Sequence, residues 1–298
     1  RDFCLSRGLG DVYKRQFSHC VPTILQMVLN AKAAQGTDFG GWKIVIGGSA
    51  LNRALYEAAK AKGIQLTAAY GMSETGPLVS CAHLNDELMA GSEDERTTYR
   101  IKAGVPGPLV EAAIIDAEGN FLPADGEAQG ELVLRAPWLS EGYFNEPQKG
   151  AELWEGGWLH TGDVATLDSM GVIDIRDRIK DVIKTGGEWI SSLDLEDLIS
   201  RHAAVREVAV VGIADPQWGE RPFALLVIRE GHEIGARELK EHLKPFVELG
   251  HLSKWAIPSQ IALVTEIPKT SVGKLDKKRI RVDISEWQAS NSTFLSTL

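Results

Sequence analysis

Residues 43–69 constrain the fold more than any other stretch of this chain. Lys43–Ile46 is a short apolar run ending in Gly47-Gly48. Leu51–Lys62 then places alanine and leucine on one helical face, with Gly63 as the stop, and Ile64–Ala69 is a second apolar run. A helix stopped by glycine between two short strands predicts a right-handed βαβ unit and therefore a parallel sheet. Ligands of such sheets bind at the carboxyl ends of the strands. Both strands run into glycine-bearing loops at that end, Gly47–Ala50 (GGSA) and Tyr70–Gly76 (YGMSETG).

The neighbouring segments extend this picture. Val21–Ala34 has helical spacing (Ile24, Leu25, Val28, Leu29) closed by Gly36. Residues 104–176 change character. Glu111–Ala117 and Glu131–Arg135 alternate or run apolar, and Ala117–Asn120 and Asp125-Gly126 are turn signals. The expectation is antiparallel β structure, a small barrel or sandwich, ending in Gly157–Asp163 (GWLHTGD) and a strand at Val172–Arg176. Further on, Ser191 or Ser192 caps a helix over Leu193–Arg201. Val205–Ile213, Phe223–Ile228 and Ile261–Val264 read as strands, and Arg237–Phe246 as an amphipathic helix.

The fold class expected is therefore α/β. Part of a parallel α/β sheet subdomain (17–103) is joined to a β-rich, barrel-like subdomain (104–177). A small mobile α+β domain follows at 178–286, with its hinge at 178–181. Residues 287–298 read as a flexible tail. Residues 1–16 lack both periodicity and the apolar core of a secretory signal, and read as a non-matching stretch.

Between the β-rich and α+β regions lies Asp177–Ser191, DRIKDVIKTGGEWIS. Arg178, Lys180 and Lys184 are crowded beside Gly186-Gly187. The residues alone leave two readings open: a solvated charged turn, or a hinge that handles an anionic ligand.

The net charge of −9 argues against a nucleic-acid partner, which needs a basic face. The apolar runs are too short for a membrane span. The three cysteines, Cys4, Cys20 and Cys81, form neither a disulfide framework nor a zinc pattern, and a reducing cytoplasm is the simplest setting. No HExxH is present. Ser271-Val272-Gly273-Lys274 is not a Walker A loop, because Leu275 follows the lysine.

Five segments stand in order: GGSA (47–50), YGMSET (70–75), TGD (161–163), DRIKDVIKTGG (177–187) and PKTSVGKL (268–275). Together they resemble the acyl-adenylate-forming superfamily of acyl-CoA synthetases, peptide-synthetase adenylation domains and luciferases. Gly186–Glu196 (GGEWISSLDLE) looks most like the medium- and long-chain fatty-acid–CoA ligases. The resemblance runs from Phe17 to Ile280. The family's Gly/Ser/Thr-rich phosphate loop is not matched, which marks the chain as a C-terminal fragment expected to have little activity alone.

The resemblance implies a two-step reaction. A carboxylate attacks the α-phosphate of Mg-ATP, and the CoA thiol then displaces AMP from the acyl-AMP. It implies that Tyr70 stacks on adenine opposite Gly48, Ser49 and Ala50, with Gly71 in the same loop. Ser73 would bond the α-phosphate, and Glu74 would ligate Mg²⁺, a hard ion suited to carboxylate oxygen. Asp163 and Arg178 would hold the ribose. Lys274 would bridge the carboxylate and the α-phosphate, Lys180 would be the pivot between two poses, and Lys184, Gly186, Gly187, Glu188 and Trp189 would line the thioester-forming pose. Trp189 reads equally as interdomain packing. Ala68 replaces an amide that many relatives use to read the adenine edge. The acyl acceptor remains CoA or a carrier-protein thiol, the acid a fatty acid or another, and the protein a cytoplasmic enzyme compatible with a homodimer. A non-catalytic nucleotide-binding fragment is the alternative.

Overall fold

The computed structural model describes residues 16–271, 273–289 and 295–297. The stretch read as non-matching lies, but for Gln16, outside the described residues. The described chain divides into two compact units. One runs to Thr161 and includes Thr166–Ile175; the other comprises Gly162–Ala165 and the chain from Arg176 onward.

The first unit is built on β1 (Phe17–Cys20), α1 (Pro22–Asn30), β2 (Lys43–Ile46), α2 (Arg53–Ala61) and β3 (Gln65–Tyr70). β1, β2 and β3 pair in parallel, with Ile46 opposite both Cys20 and Ala68. The βαβ expectation is met. Helix α2 starts at Arg53 rather than Leu51 because the Asn52 side chain caps it, accepting from the Leu55 amide at 2.8 Å. The face bearing Leu55, Tyr56 and Ala59 is buried against Ile44, Ile46, Leu66 and Ala68.

The first helix is shorter than its periodicity predicts. Ala31 takes an extended backbone, φ −63° and ψ 138°, so α1 ends at Asn30 and only a short 3-10 turn, Lys32–Ala34, follows. β4 (Ser80–Cys81), α3 (Asp86–Ala90), α4 (Glu93–Arg100) and β5 (Val105–Pro106) complete the unit's five-stranded sheet, order β1-β2-β3-β4-β5. Helix α4 was not anticipated. Its signal is the Ser92/Glu95 capping box, in which each side chain bonds the other residue's amide.

The β-rich region contributes β6 (Glu111–Ile115), β7 (Gly130–Arg135), α5 (Pro147–Leu153), β8 (Leu159–Leu167) and β9 (Ile173–Arg178). These strands form a four-stranded sheet in the order β6-β7-β8-β9. The sheet is open. The barrel-like closure expected from the alternating pattern is not formed, because alternation specifies a buried face and not pairing of the outer strands.

The second unit contains β10 (Ile183–Thr185), β11 (Glu188–Ile190), α6 (Ser192–Ser200), β12 (Val205–Asp215), β13 (Gly219–Ile228), α7 (Ala236–Glu248), β14 (Gln260–Leu263), α8 (Lys277–Ala289) and β15 (Leu295–Thr297). Its sheet runs β11-β10-β13-β14-β15, with β12 also on β13. The sheet is buried on both faces. Val208, Val210, Ala224 and Leu226 pack with Leu195, Leu239 and Leu243. Ala209, Val211, Phe223 and Leu225 pack with Ile280 and Ile284 of α8. The period-2 alternation of β12 and β13 thus supplies two cores.

In the segment beyond residue 286, read from the sequence as a flexible tail, α8 continues to Ala289 and β15 pairs antiparallel with β14; residues 290–294 and 298 lie outside the described residues. Among the described residues no helix is long and apolar enough to cross a membrane.

Candidate adenylate-forming site

The adjacent parallel strands β2 and β3 carry the Gly47–Ala50 and Tyr70–Gly76 loops at the same, carboxyl, end. The backbone is crowded at one glycine of each loop. A Cβ on Gly47 would stand 2.7 Å from the Ala69 carbonyl oxygen, and one on Gly71 would stand 1.8 Å from that of Pro77. Gly48 has φ +82°, in the left-handed region. Ser49, Ala50 and Ser73 are exposed, and Tyr70 is half-buried. Ala68 is 5 % exposed and belongs to the core beneath the loops.

The Tyr70–Gly76 loop is tied down by side chains that the motif does not contain. Thr75 is fully buried; its hydroxyl donates to the Met72 carbonyl at 2.9 Å and accepts from the Met72 amide at 2.8 Å. The Trp138 indole donates to the Thr75 carbonyl at 3.1 Å, and the Ser140 amide to the Glu74 carbonyl at 2.8 Å. The Tyr143 hydroxyl donates to Glu74 Oε1 at 2.6 Å. This bond to a carboxylate, with some burial, pushes the phenol pKa up to about 12. Sequence reading missed Trp138, Ser140 and Tyr143. Their separation from the loop leaves no periodic trace; the only available signal is the aromatic-rich Trp138–Phe144.

Glu74 was expected to hold Mg²⁺. Its carboxylate offers about four acceptor directions, of which Tyr143 occupies one. One protein carboxylate fits an ion that keeps its waters and binds through substrate phosphates. Among the described residues no group of three or more His, Cys, Asp or Glu could hold a metal by itself.

In the second unit, Asp163 and Arg178 are brought together. Arg178 Nε lies 3.2 Å from Asp163 Oδ1; the carboxylate is buried and the guanidinium half exposed. The Ile179 amide donates to the Gly162 carbonyl at 2.9 Å, which fixes this pairing along the backbone. Lys180 is exposed, and its carbonyl accepts from Arg281 at 3.3 Å.

The turn between β10 and β11 presents Gly186 (φ +58°) and Gly187 (φ +87°), both left-handed. Any side chain at Gly186 would press on the Trp218 ring at 3.2 Å. Lys184 Nζ stands 5.3 Å from the Trp189 ring centroid, and Glu188 Oε2 accepts from Ser253 at 2.5 Å. Trp189 is 49 % exposed. Lys274 lies in a tight turn in which Thr270 bonds it twice. The Thr270 amide donates to the Lys274 carbonyl at 2.8 Å, and the Lys274 amide to Thr270 Oγ1 at 3.2 Å.

Residues 8–144 match the AMP-binding enzyme family and residues 194–274 the AMP-binding enzyme C-terminal domain. The chain belongs to the AMP-binding enzyme family. The match begins at residue 8, inside the stretch read as non-matching. A long-chain-fatty-acid–CoA ligase of Thermus thermophilus is 42% identical over 240 residues, covering 80% of this chain and 43% of the relative. A 3-methylmercaptopropionyl-CoA ligase of Ruegeria lacuscaerulensis is 37% identical over 281 residues, 94% of this chain and 51% of the relative. Among solved structures, the amide bond synthetase McbA of Marinactinospora thermotolerans aligns at TM-score 0.79 and 28% identity, covering 92% of this chain and 53% of that one. The chain spans about half the length of the curated relatives it matches.

Proposed function

We propose that the protein to which this chain belongs is an AMP-forming acid–thiol ligase, that its acid is a fatty acid and that its acyl acceptor is CoA. The observation that carries the reading is that the adjacent parallel strands β2 and β3 deliver the Gly47–Ala50 and Tyr70–Gly76 loops to the same, carboxyl, end of the sheet. In this reading a planar base lies between the Gly48–Ala50 backbone and the Tyr70 ring, where Gly48, Ser49 and Ala50 are small enough to allow a close approach. Tyr70 is the stacking ring and Ser73 the α-phosphate donor in this reading. Asp163 accepts from the ribose hydroxyls and Arg178 orients it. Glu74, held by Tyr143, would hold Mg²⁺ together with ATP, and the ion would supply neutralisation of phosphate charge.

A free carboxylate is a poor electrophile; as an acyl-AMP it gains a good leaving group. Lys274 lies between the incoming carboxylate and the α-phosphate, where negative charge crowds as the new P–O bond forms and pyrophosphate leaves. The chain then turns at Lys180, and the Gly186-Gly187 turn lines the path of the thiol. The thiolate attacks the acyl carbonyl, and AMP departs. A cytoplasmic setting agrees with the free thiols Cys20 and Cys81. Homodimerisation of the whole protein belongs to the same proposal.

A second reading keeps the chemistry and changes the acid, because relatives named for 3-methylmercaptopropionate and for long-chain fatty acids both match over most of this chain. Acid-dependent exchange of pyrophosphate into ATP, run on the whole protein with a panel of acids, separates them. Fatty acids giving the highest exchange, followed by CoA thioester formation, supports the proposal. Exchange without any thioester overturns the CoA assignment. The 298 residues alone are expected to bind nucleotide without turnover, and normal turnover by them overturns that expectation.

A further inference from the structure

Between Arg176 and Asp181 the chain changes partners every two residues. The Arg176 carbonyl accepts from the Ser191 hydroxyl at 2.5 Å, and Asp177 Oδ2 accepts from both the amide and the hydroxyl of Ser192, each at 2.6 Å. Arg178 and Ile179 face Asp163 and Gly162. The Lys180 carbonyl and Asp181 Oδ1 accept from Arg281, at 3.3 and 2.8 Å.

The first of these attachments is the most buried. Asp177 is 2 % exposed and Ser192 not at all. Behind Ser192, Lys277 Nζ donates to its hydroxyl at 2.5 Å and pairs with Glu196 at 2.8 Å; Glu196 also accepts from the Val210 amide. Asp177, Ser192, Lys277 and Glu196 therefore form a continuous chain of charge-assisted bonds, buried at Asp177 and Ser192 and partly exposed at Lys277 and Glu196. Lys277 and Arg281 lie one turn apart on α8, four residues along, so one helix face serves both attachments.

A rotation about Lys180 divides these contacts unequally. Asp181 and Arg281 both follow the pivot, and their bond survives. Arg176 and Asp177 precede it, whereas Ser191 and Ser192 follow it. A turn confined to Lys180 must withdraw Asp177 from Ser192. We propose that Asp177 and Ser192, braced by Lys277, are a latch that is closed in one pose of the enzyme and open in the other. The inference rests on the reading of Lys180 as the pivot of a two-step ligase. It adds a positioning role for side chains outside the nucleotide site, because freeing the Asp177 carboxylate and the Lys277 partner sets the relative populations of the two poses.

The test uses the whole protein. Ser192→Ala removes the hydroxyl that joins Asp177 to Lys277. Single-turnover rates of acyl-AMP formation and of thioester formation from added acyl-AMP are compared with wild type. The ratio of the two rates is expected to change at least roughly fivefold. Both rates unchanged, or both lowered by one factor, overturns the latch. A second measurement needs no variant. Hydrogen exchange of the Ser192 amide in wild type is followed with magnesium-ATP and then with AMP plus CoA; protection is expected to differ at least roughly tenfold, and equal protection overturns the latch. Wild-type protein that runs both half-reactions with an equally protected Ser192 fails the latch alone. Wild-type protein with no acid-dependent pyrophosphate exchange fails the ligase reading and takes the latch with it.

Discussion

Arg178 places its Nε 3.2 Å from Oδ1 of the buried Asp163 and leaves half of its own surface to solvent. In the proposed ligase this braced carboxylate accepts from the diol of a ribose. Removing the brace costs the carboxylate its orientation; removing the carboxylate costs the diol its acceptor. Arg178→Ala is expected to weaken ATP binding roughly tenfold and Asp163→Ala roughly a hundredfold, consistent with about 1.5–3 kcal/mol for hydrogen bonds to charged groups. Calorimetric titration with ATP checks both. Unchanged affinity in Asp163→Ala would remove the residue from the nucleotide site.

Tyr143 reaches across to Glu74 with a 2.6 Å hydrogen bond, and both residues retain solvent contact. The bond therefore orients the carboxylate more than it stabilises the fold. Tyr143→Phe is expected to leave the melting temperature within about 2 °C, a surface substitution costing about 0.5 kcal/mol or less. The magnesium concentration for half-maximal adenylation is expected to rise roughly fivefold, about 1 kcal/mol. A magnesium titration at fixed ATP reads this directly. A parallel loss at saturating magnesium with no shift in the midpoint would count against the assignment.

Local pattern announced the elements whose physics is local. The βαβ unit, the alternation of β12 and β13, and the Gly186-Gly187 turn follow from period, glycine and burial within short windows. The Ser92/Glu95 box was equally local and was overlooked. What the chain did not announce is carried by contacts between distant positions. Tyr143 and Glu74 are separated by 69 positions, and Lys277 and Ser192 by 85. Neither pair leaves a periodic signature, because their geometry exists only after the intervening elements have packed. The site motifs were legible in order, but their supports were not.

The Lys274 backbone is held by Thr270, whose amide donates to the Lys274 carbonyl and whose hydroxyl accepts from the Lys274 amide. The proposed work of Lys274 is confined to the step in which carboxylate and phosphate meet. Lys274→Ala is expected to lower adenylation by roughly 10²–10³-fold, comparable to the loss of one preorganised transition-state donor. Thioester formation from supplied acyl-AMP is expected to fall less than roughly threefold, as Lys274 is not asked to act there. Rapid-quench measurement of the two half-reactions distinguishes them. An equal loss in both would mean that the lysine supports the fold or the nucleotide and not the first step.

His202 gives the second unit a pH dependence of determinate sign. Its Nδ1 accepts from the Ala204 amide at 3.2 Å, which requires that nitrogen to be unprotonated. Burial lowers its pKa first, and the His242 ring, 5.0 Å away edge-on, lowers it further; Glu238 at 3.6 Å opposes both, and His232 acts in the same direction as His242. A depressed histidine pKa favours the neutral ring in the folded state. The corresponding stability is fully present above the ordinary value near 6.5 and is lost as pH falls through the folded value. The unfolding midpoint of the wild-type chain is expected to drop between about pH 7.5 and about pH 5.5. His202→Asn places an amide oxygen near the Nδ1 position and keeps the Ala204 bond without a titrating group. Its midpoint is expected to drop less over the same interval. Urea unfolding of both proteins at the two pH values measures the difference. Equal drops in the two proteins would assign the pH dependence to other groups.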